Sequence, residues 1–138
     1  MSELEITDNP TAEEIEAVRG PLASFNAAAA GLPNRRPLAV LLRDSECKAV
    51  GGLIGWTFWA WLYVDLLFIP EAQRRAGLGS DILRTAEAEA RRRGCANAYL
   101  FTLGFQAKPF YERHGYREFG RLDGFPGAFA AHFMTKRL

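Results

Sequence analysis

The sequence predicts an α/β (α+β) chain: a mixed, mostly antiparallel central sheet of about six to seven strands, with helices on both faces. Three observations predict it. Residues 61–69, WLYVDLLFI, are apolar on both alternating faces apart from Asp65, as in a strand covered by helices. Residues 78–93 place Leu78, Ile82, Leu83, Ala86 and Ala90 on one stripe at helical spacing. The remaining segments then read in the order β-α-α-β-β-β-α-β-α-β-β.

Taken in order, Leu4-Glu5-Ile6 alternates and predicts a short first strand. Thr11 with Glu14 is a capping box that opens a helix through Ile15 and Val18. Gly20-Pro21 should break or kink that helix, and a second piece should end at Gly31. Residues 37–43 form an apolar strand, a polar turn follows at 43–46, and the next strand spans 47–59. Gly51, Gly52 and Gly55 in it leave room for close backbone approach. Trp56, Trp59 and Trp61 cluster near the following turn, either as core and rim packing or as an apolar wall to a pocket.

Helix 78–93 carries Glu87–Arg91 and Glu89–Arg93 at favourable spacing, and Arg91-Arg92-Arg93 reads as a solvated helix end before Gly94. Residues 98–103 are a core strand, and 106–114 a short helix with Pro109 in its early turns. Residues 116–122 and 129–138 form a closing antiparallel pair.

The bulk numbers bound the function. With 138 residues, the chain reads as a single domain, 1–138, able to bury a core. Its 49% hydrophobic and 24% charged content is that of an ordinary globule, and a net charge of +1 offers no field for nucleic acid. Cys47 and Cys95 match no metal spacing, and His114 and His132 are the only histidines, so no metal is expected. No signal peptide or membrane-spanning run is visible, which predicts reduced core thiols in a cytoplasmic protein.

Chemistry concentrates between the strand at 61–69 and the helix that follows. Arg74, Arg75, Gly77 and Gly79 put positive charge and bare backbone N–H groups at a helix N-terminus, a place that binds anions. A nucleotide P-loop needs Lys before Ser80, where Gly79 stands. A dinucleotide fingerprint needs a third Gly or Ala at Ile82 and an acid where Asn97 falls. What survives is Arg-x-x-Gly-x-Gly after a strand. Asp65, the one charge in that strand, is costly to bury unless it is paired or faces a wet cleft.

This pattern resembles the acetyl-coenzyme A signature of the GCN5-related N-acetyltransferases. Phe110-Tyr111-Glu112-Arg113-His114-Gly115-Tyr116 is similar to the family's later Tyr-x-x-x-Gly-aromatic segment. The resemblance covers about 38–116 and implies that family's architecture, with two strands splayed around the pantetheine arm. It implies that the backbone of Leu67, Phe68 and Ile69 pairs with that arm. Arg74, Arg75, Ala76, Gly77, Leu78, Gly79 and Ser80 would wrap the pyrophosphate, Arg75 standing where the family often has Gly.

The reaction so implied is direct acetyl transfer to an amine, with Tyr111 as general acid. With unshifted groups that proton transfer is uphill by about 2 kcal/mol, so it needs concert with C–S cleavage or an acidified phenol. Asp65 is the first candidate for general base, through a water; Glu71 reads as solvated and His132 comes a distant third. The expected partners are acetyl-CoA and an amine, with neither nucleic acid nor membrane, and a homodimer stays open. Acceptors of three kinds remain: a small-molecule amine, a peptide or protein amine, or none, as in an acetyl-CoA sensor.

Overall fold

The computed structural model describes residues 2–138, which fall into two compact units whose boundary in the chain lies between Pro33 and Asn34. The first contains helix α1, Ala12–Ala30. Its capping box is formed: the Glu14 N–H donates to Thr11 Oγ1 at 3.1 Å and the Thr11 N–H to Glu14 Oε1 at 2.9 Å. Gly31, at φ 80°, closes it by donating its N–H to the Ala27 carbonyl.

Two expectations fail in this unit. Gly20-Pro21 does not divide the helix, which runs unbroken for 19 residues with Pro21 inside it. Pro21 removes one N–H, and the Ala17 carbonyl that loses a partner lies on an exposed residue where water can satisfy it. Residues 4–6 form no strand, and Leu4 and Ile6 are fully exposed. Three alternating residues without a partner strand have nothing to bond to.

The second unit holds strands β1 (Arg36–Arg43), β2 (Ala49–Phe58) and β3 (Trp61–Phe68), helix α2 (Leu78–Arg92) and strand β4 (Asn97–Leu103). Helix α3 (Lys108–Arg113) and strands β5 (Arg117–Asp123) and β6 (Ala130–Arg137) complete it. The six strands form one sheet in the order β1-β2-β3-β4-β6-β5, antiparallel except between β3 and β4. That parallel pair is joined through α2, as a strand–helix–strand crossover requires. Leu38, Leu53, Leu62, Val64, Leu100 and Met134 meet Leu83, Ala86 and Ala90 of α2 and Tyr111 of α3 in one core. Across the sheet, Trp56, Tyr63 and Tyr99 pack in a row of tilted rings, with centroids 4.9 and 4.7 Å apart.

The β3–β4 pairing covers only Trp61↔Asn97, Leu62↔Ala98 and Tyr63↔Tyr99; beyond it the strands separate. The cause lies on the other edge of β3. Gly55 pairs with Val64 and Ile54 with Leu66, so Asp65 is an extra residue in a β-bulge, which bends and twists its strand. A Cβ on Gly55 would lie 2.2 Å from the Tyr63 carbonyl oxygen, so only glycine lets the two backbones come this close. The bulge also reverses the alternation. Leu62 and Val64 face the core, and Leu67, not Leu66, packs there next.

Helix α2 is fastened to the sheet through charged groups placed differently from the sequence expectation. Glu87 does not pair with Arg91. It is buried beside Ala86 and Ala90, accepts from Tyr116 Oη at 2.8 Å, and pairs with Lys136 Nζ of β6 at 2.9 Å. Arg93 is not solvated either; its Nη1 donates to the Pro37 carbonyl and Thr57 Oγ1, and its Nε to Glu89. Cys95 is buried as expected, whereas Cys47 is exposed at the β1–β2 turn, so it is not a core thiol. No helix among the described residues is long and apolar enough to cross a membrane.

The Glu87–Lys136 pair gives a stability test. Lys136→Met leaves a carboxylate that is 3% exposed without its cation and should cost about 3 kcal/mol in urea unfolding. Glu87→Gln together with Lys136→Met should recover most of that loss, because no charge is then left buried and an amide oxygen can still accept from Tyr116 Oη.

Candidate active site

Where β3 and β4 separate, a cavity of about 890 Å³ opens. Val64 to Ile69 form one side; Phe101 and Thr102 of β4, with Phe105, Gln106 and Ala107, form the other. The loop from Arg74 to Ser80 closes one end, and Phe110, Tyr111 and Arg113 bring α3 to it. Past Tyr63, the β4-facing backbone groups of β3 have no strand partner, so this apolar cleft carries a row of unused donors and acceptors.

The loop before α2 is built to leave donors free. Among the described residues, no backbone N–H from Arg75 to Ser80 finds an acceptor, and no side chain caps the helix; the first helical bond is Asp81 N–H to the Gly77 carbonyl. Helix charge and guanidinium charge therefore add at one point. Gly77 holds φ 80° and a Cβ there would meet nothing within 4 Å, so its outer side is open. At Gly79 a Cβ would lie 3.3 Å from the Phe110 ring, so this glycine admits the α3 aromatic to the first turn of α2. Arg75 also sits at positive φ, 70°, so a side chain occupies a backbone conformation suited to glycine. Arg74 Nε donates to the Ile69 carbonyl at 2.8 Å, which folds the loop back on β3 and leaves the rest of its guanidinium at the cavity.

Two further groups order this end. Ser80 Oγ shares a 2.8 Å hydrogen bond with His114 Nε2. Burial, with Arg84, Lys136 and Arg113 nearby, holds His114 below its ordinary range and hence neutral. Gln106 Oε1 accepts from the Leu103 N–H and from Thr102 Oγ1, fixing the turn after β4.

Of the residues named from sequence, Leu67, Phe68, Ile69, Arg74, Arg75, Gly77, Gly79, Ser80, Asp65 and Tyr111 all line this cavity. Ala76 and Leu78 do not line it: Ala76 points to solvent and Leu78 is half-buried, so these two bring backbone at most. Asp65 is exposed, with no ion pair or hydrogen bond among the described residues, which removes the structural salt bridge as its explanation. Its charge adds to burial in pushing the Tyr63 phenol up, which places it beside the aromatic row. His132 is buried on β6, hydrogen-bonded to Glu118 and outside the cavity lining. Phe101 and Phe105 escaped the sequence reading, and Phe110 entered it only as part of the Tyr111 segment; aromatics beside a turn signal packing and cleft walls alike.

Tyr111 is 6% exposed, and its hydroxyl has no hydrogen-bond partner among the described residues yet is not a sealed polar atom, so it opens on the cavity. Phe110 and Tyr116 hold its ring edge-on, at 5.2 and 5.8 Å. Burial pushes its phenol up to about 12.

A splayed parallel pair, a donor-rich helix start and an uncommitted phenol make a cleft suited to a long ligand that carries an anionic group. Residues 3–116 match the Acetyltransferase (GNAT) family. The chain is 39% identical over 132 residues to Acetyltransferase Atu2258 of Agrobacterium fabrum, covering 96% of each. It is 43% identical over 92 residues to Blasticidin-S acetyltransferase of Streptomyces morookaense, covering 66% of this chain and 68% of that one. A crystal structure from Agrobacterium tumefaciens superposes with a TM-score of 0.93 at 37% identity, covering 99% of this chain and all of the other. The chain belongs to the GNAT family and is an acetyl-CoA-dependent acetyltransferase.

The strained loop yields a prediction that involves no ligand. Arg75→Gly should raise stability by about 1 kcal/mol and the melting temperature by about 2–4 °C, because it relieves a left-handed residue with a side chain. Gly77→Ala should do the reverse, by about 1–2 kcal/mol, with no steric contact to blame. Scanning calorimetry of the two variants measures both.

Proposed function

We propose that the chain acetylates a primary amine of a small molecule, with Tyr111 serving the departing thiol and Asp65 the incoming amine. The observation that carries this reading is the Tyr111 hydroxyl: on a buried ring, without a hydrogen-bond partner among the described residues, and open to the same cavity as the donor-rich loop and Asp65. Kinship with an acetyltransferase named for blasticidin S supports a small-molecule acceptor over a peptide. Acetyl-CoA would lie with its pyrophosphate on the N–H groups of 75–80 and the guanidiniums of Arg74 and Arg75. Its pantetheine arm would bond the backbone of Leu67, Phe68 and Ile69 on the side that β4 leaves, where the Ile69 carbonyl also accepts from Arg74.

The amine nitrogen attacks the thioester carbonyl carbon, the C–N bond forms, the C–S bond breaks, and the sulfur leaves as thiolate. A phenol at about 12 against a thiol near 8.5 makes full transfer from Tyr111 uphill by about 5 kcal/mol. Tyr111 therefore acts first as a hydrogen-bond donor to the developing thiolate. The proton that comes to rest on sulfur is replaced on the phenol by the one the amine loses, carried through water beside Asp65. A raised phenol keeps its proton to higher pH than an ordinary tyrosine. The rate–pH profile should accordingly show no descending limb from Tyr111 below about pH 11.

A thiol-release assay over a panel of small amines and peptides tests the reading. Tyr111→Phe should lower kcat about 100-fold while acetyl-CoA affinity stays within a few-fold. Asp65→Asn should slow transfer with acetyl-CoA binding intact. Arg74→Ala should weaken acetyl-CoA about 10- to 150-fold by calorimetry, equivalent to about 1.5–3 kcal/mol. Transfer to peptides alone would replace the small-molecule acceptor, and an equally active phenylalanine variant would end the role of Tyr111.

A further inference from the structure

We propose that the sheet face opposite α2 and α3 carries a second ligand site, taking a planar aromatic molecule that bears a carboxylate or phosphate. A cavity of about 860 Å³ lies there, nearly as large as the first and sharing no residue with it. It sits where β3 and β4 are still paired. One cross-strand row reads Trp61–Asn97–Arg137 and the next Tyr99–Thr135–Arg117, so residues of four strands converge on one patch.

Two features give the ligand class. The walls are aromatic: the Trp61 and Tyr99 rings meet edge-on at 5.8 Å, Phe58 lies 6.4 Å from Tyr99, and Phe119 borders the same space. Such walls stack on a planar ring. The charge is positive and uncompensated, since no Asp or Glu lines the cavity. Neither Arg117 nor Arg137 makes an ion pair or hydrogen bond among the described residues, whereas Arg84, Arg92, Arg93 and Arg121 each have a carboxylate.

The register makes Arg117 and Arg137 diagonal neighbours on one face, with Cα atoms about 7–8 Å apart. Like charges this close repel, and an anion bridging the two forks removes the repulsion with charge-assisted bonds. Asn97 and Thr135 add polar groups between them. A cation is disfavoured here, so this site is distinct from that of the acceptor amine and holds whatever that acceptor proves to be.

The chain has three tryptophans, so a ¹⁵N spectrum shows three indole N–H signals. Trp59 and Trp61 line the cavity and Trp56 does not, which supplies an internal reference. The probes are 1-naphthoate, neutral 1-naphthalenemethanol and cationic 1-naphthylmethylamine, added with and without acetyl-CoA. Naphthoate should shift the Trp61 signal saturably, at least ten-fold tighter than the alcohol, without saturation by the amine and with or without acetyl-CoA. Arg117→Gln with Arg137→Gln should weaken naphthoate ten-fold or more while the remaining amide signals stay in place. Equal response to the three probes, no response, displacement by acetyl-CoA, or an unchanged double variant each overturns the site. So does a shift driven by protein concentration alone, which would mean that a second copy fills the groove.

Discussion

Three residue pairs are all that β3 and β4 share before they part, and that early end of the ladder governs the rest of the second unit. Parallel strands would ordinarily stay in register, since each further residue adds ladder bonds. Here β3 is held along its whole length by β2, and the extra residue Asp65 twists it to follow that neighbour. The bulge depends in turn on Gly55, whose missing side chain lets the Tyr63 carbonyl come close. One glycine and one inserted residue thus open a cleft in an otherwise continuous sheet. The backbone groups freed in that cleft cannot be satisfied by the core and must bond water or a ligand. A strand this apolar with an unpaired edge would invite association, unless something extended regularly occupies the edge.

The same trade is visible in α2. Its C-terminal half is tied down heavily: Glu87 to Tyr116 and Lys136, and Arg93 to the backbone of β1 and to Thr57. Its N-terminus has no side-chain cap and begins after a loop whose Arg75 holds a conformation suited to glycine. Stability is concentrated at the end away from the cavity, and unmet hydrogen-bond capacity at the end facing it. Strain and missing caps of this kind persist only where the surroundings over-determine them. The buried Glu87 cluster and the helix–sheet core provide that surplus.

How much of this was legible in the sequence follows from the range of each signal. The loop with Arg74, Gly77 and Gly79 could be read because its meaning is local: glycine spacing between a strand and a helix defines the geometry with little help from the rest of the chain. The capping box at Thr11 and Glu14 was readable for the same reason. Glu87 was misread because the i,i+4 rule sees only its own helix, while its partners are Lys136 of β6 and Tyr116; the rule held for Glu89–Arg93, but Arg93 also reaches β1 and β2, which no helical rule reveals. Pro21 was over-read as a break, since a single lost bond on an exposed turn is tolerable. Asp65 lay between these cases. Its cost in an apolar strand was legible, while the pairing with β2 is what places it as the extra residue of a bulge.

Tyr111 shows how packing and chemistry pull against each other in this cleft. Its ring is clamped edge-on between Phe110 and Tyr116, and Phe110 packs on α2 at Gly79, where a Cβ would crowd its ring. That clamp fixes where the hydroxyl points, which is what a positioned donor needs. The burial that provides the clamp also raises the phenol to about 12, away from the value an efficient proton donor to a thiolate would have. A more exposed tyrosine would be more acidic but less well aimed. The arrangement favours aim. In the role proposed for it, Tyr111 would hold a hydrogen bond to a sulfur that becomes negative, and the amine and water would close the proton balance. On that account the acidity mismatch is a consequence of preorganisation and is compatible with turnover near neutral pH.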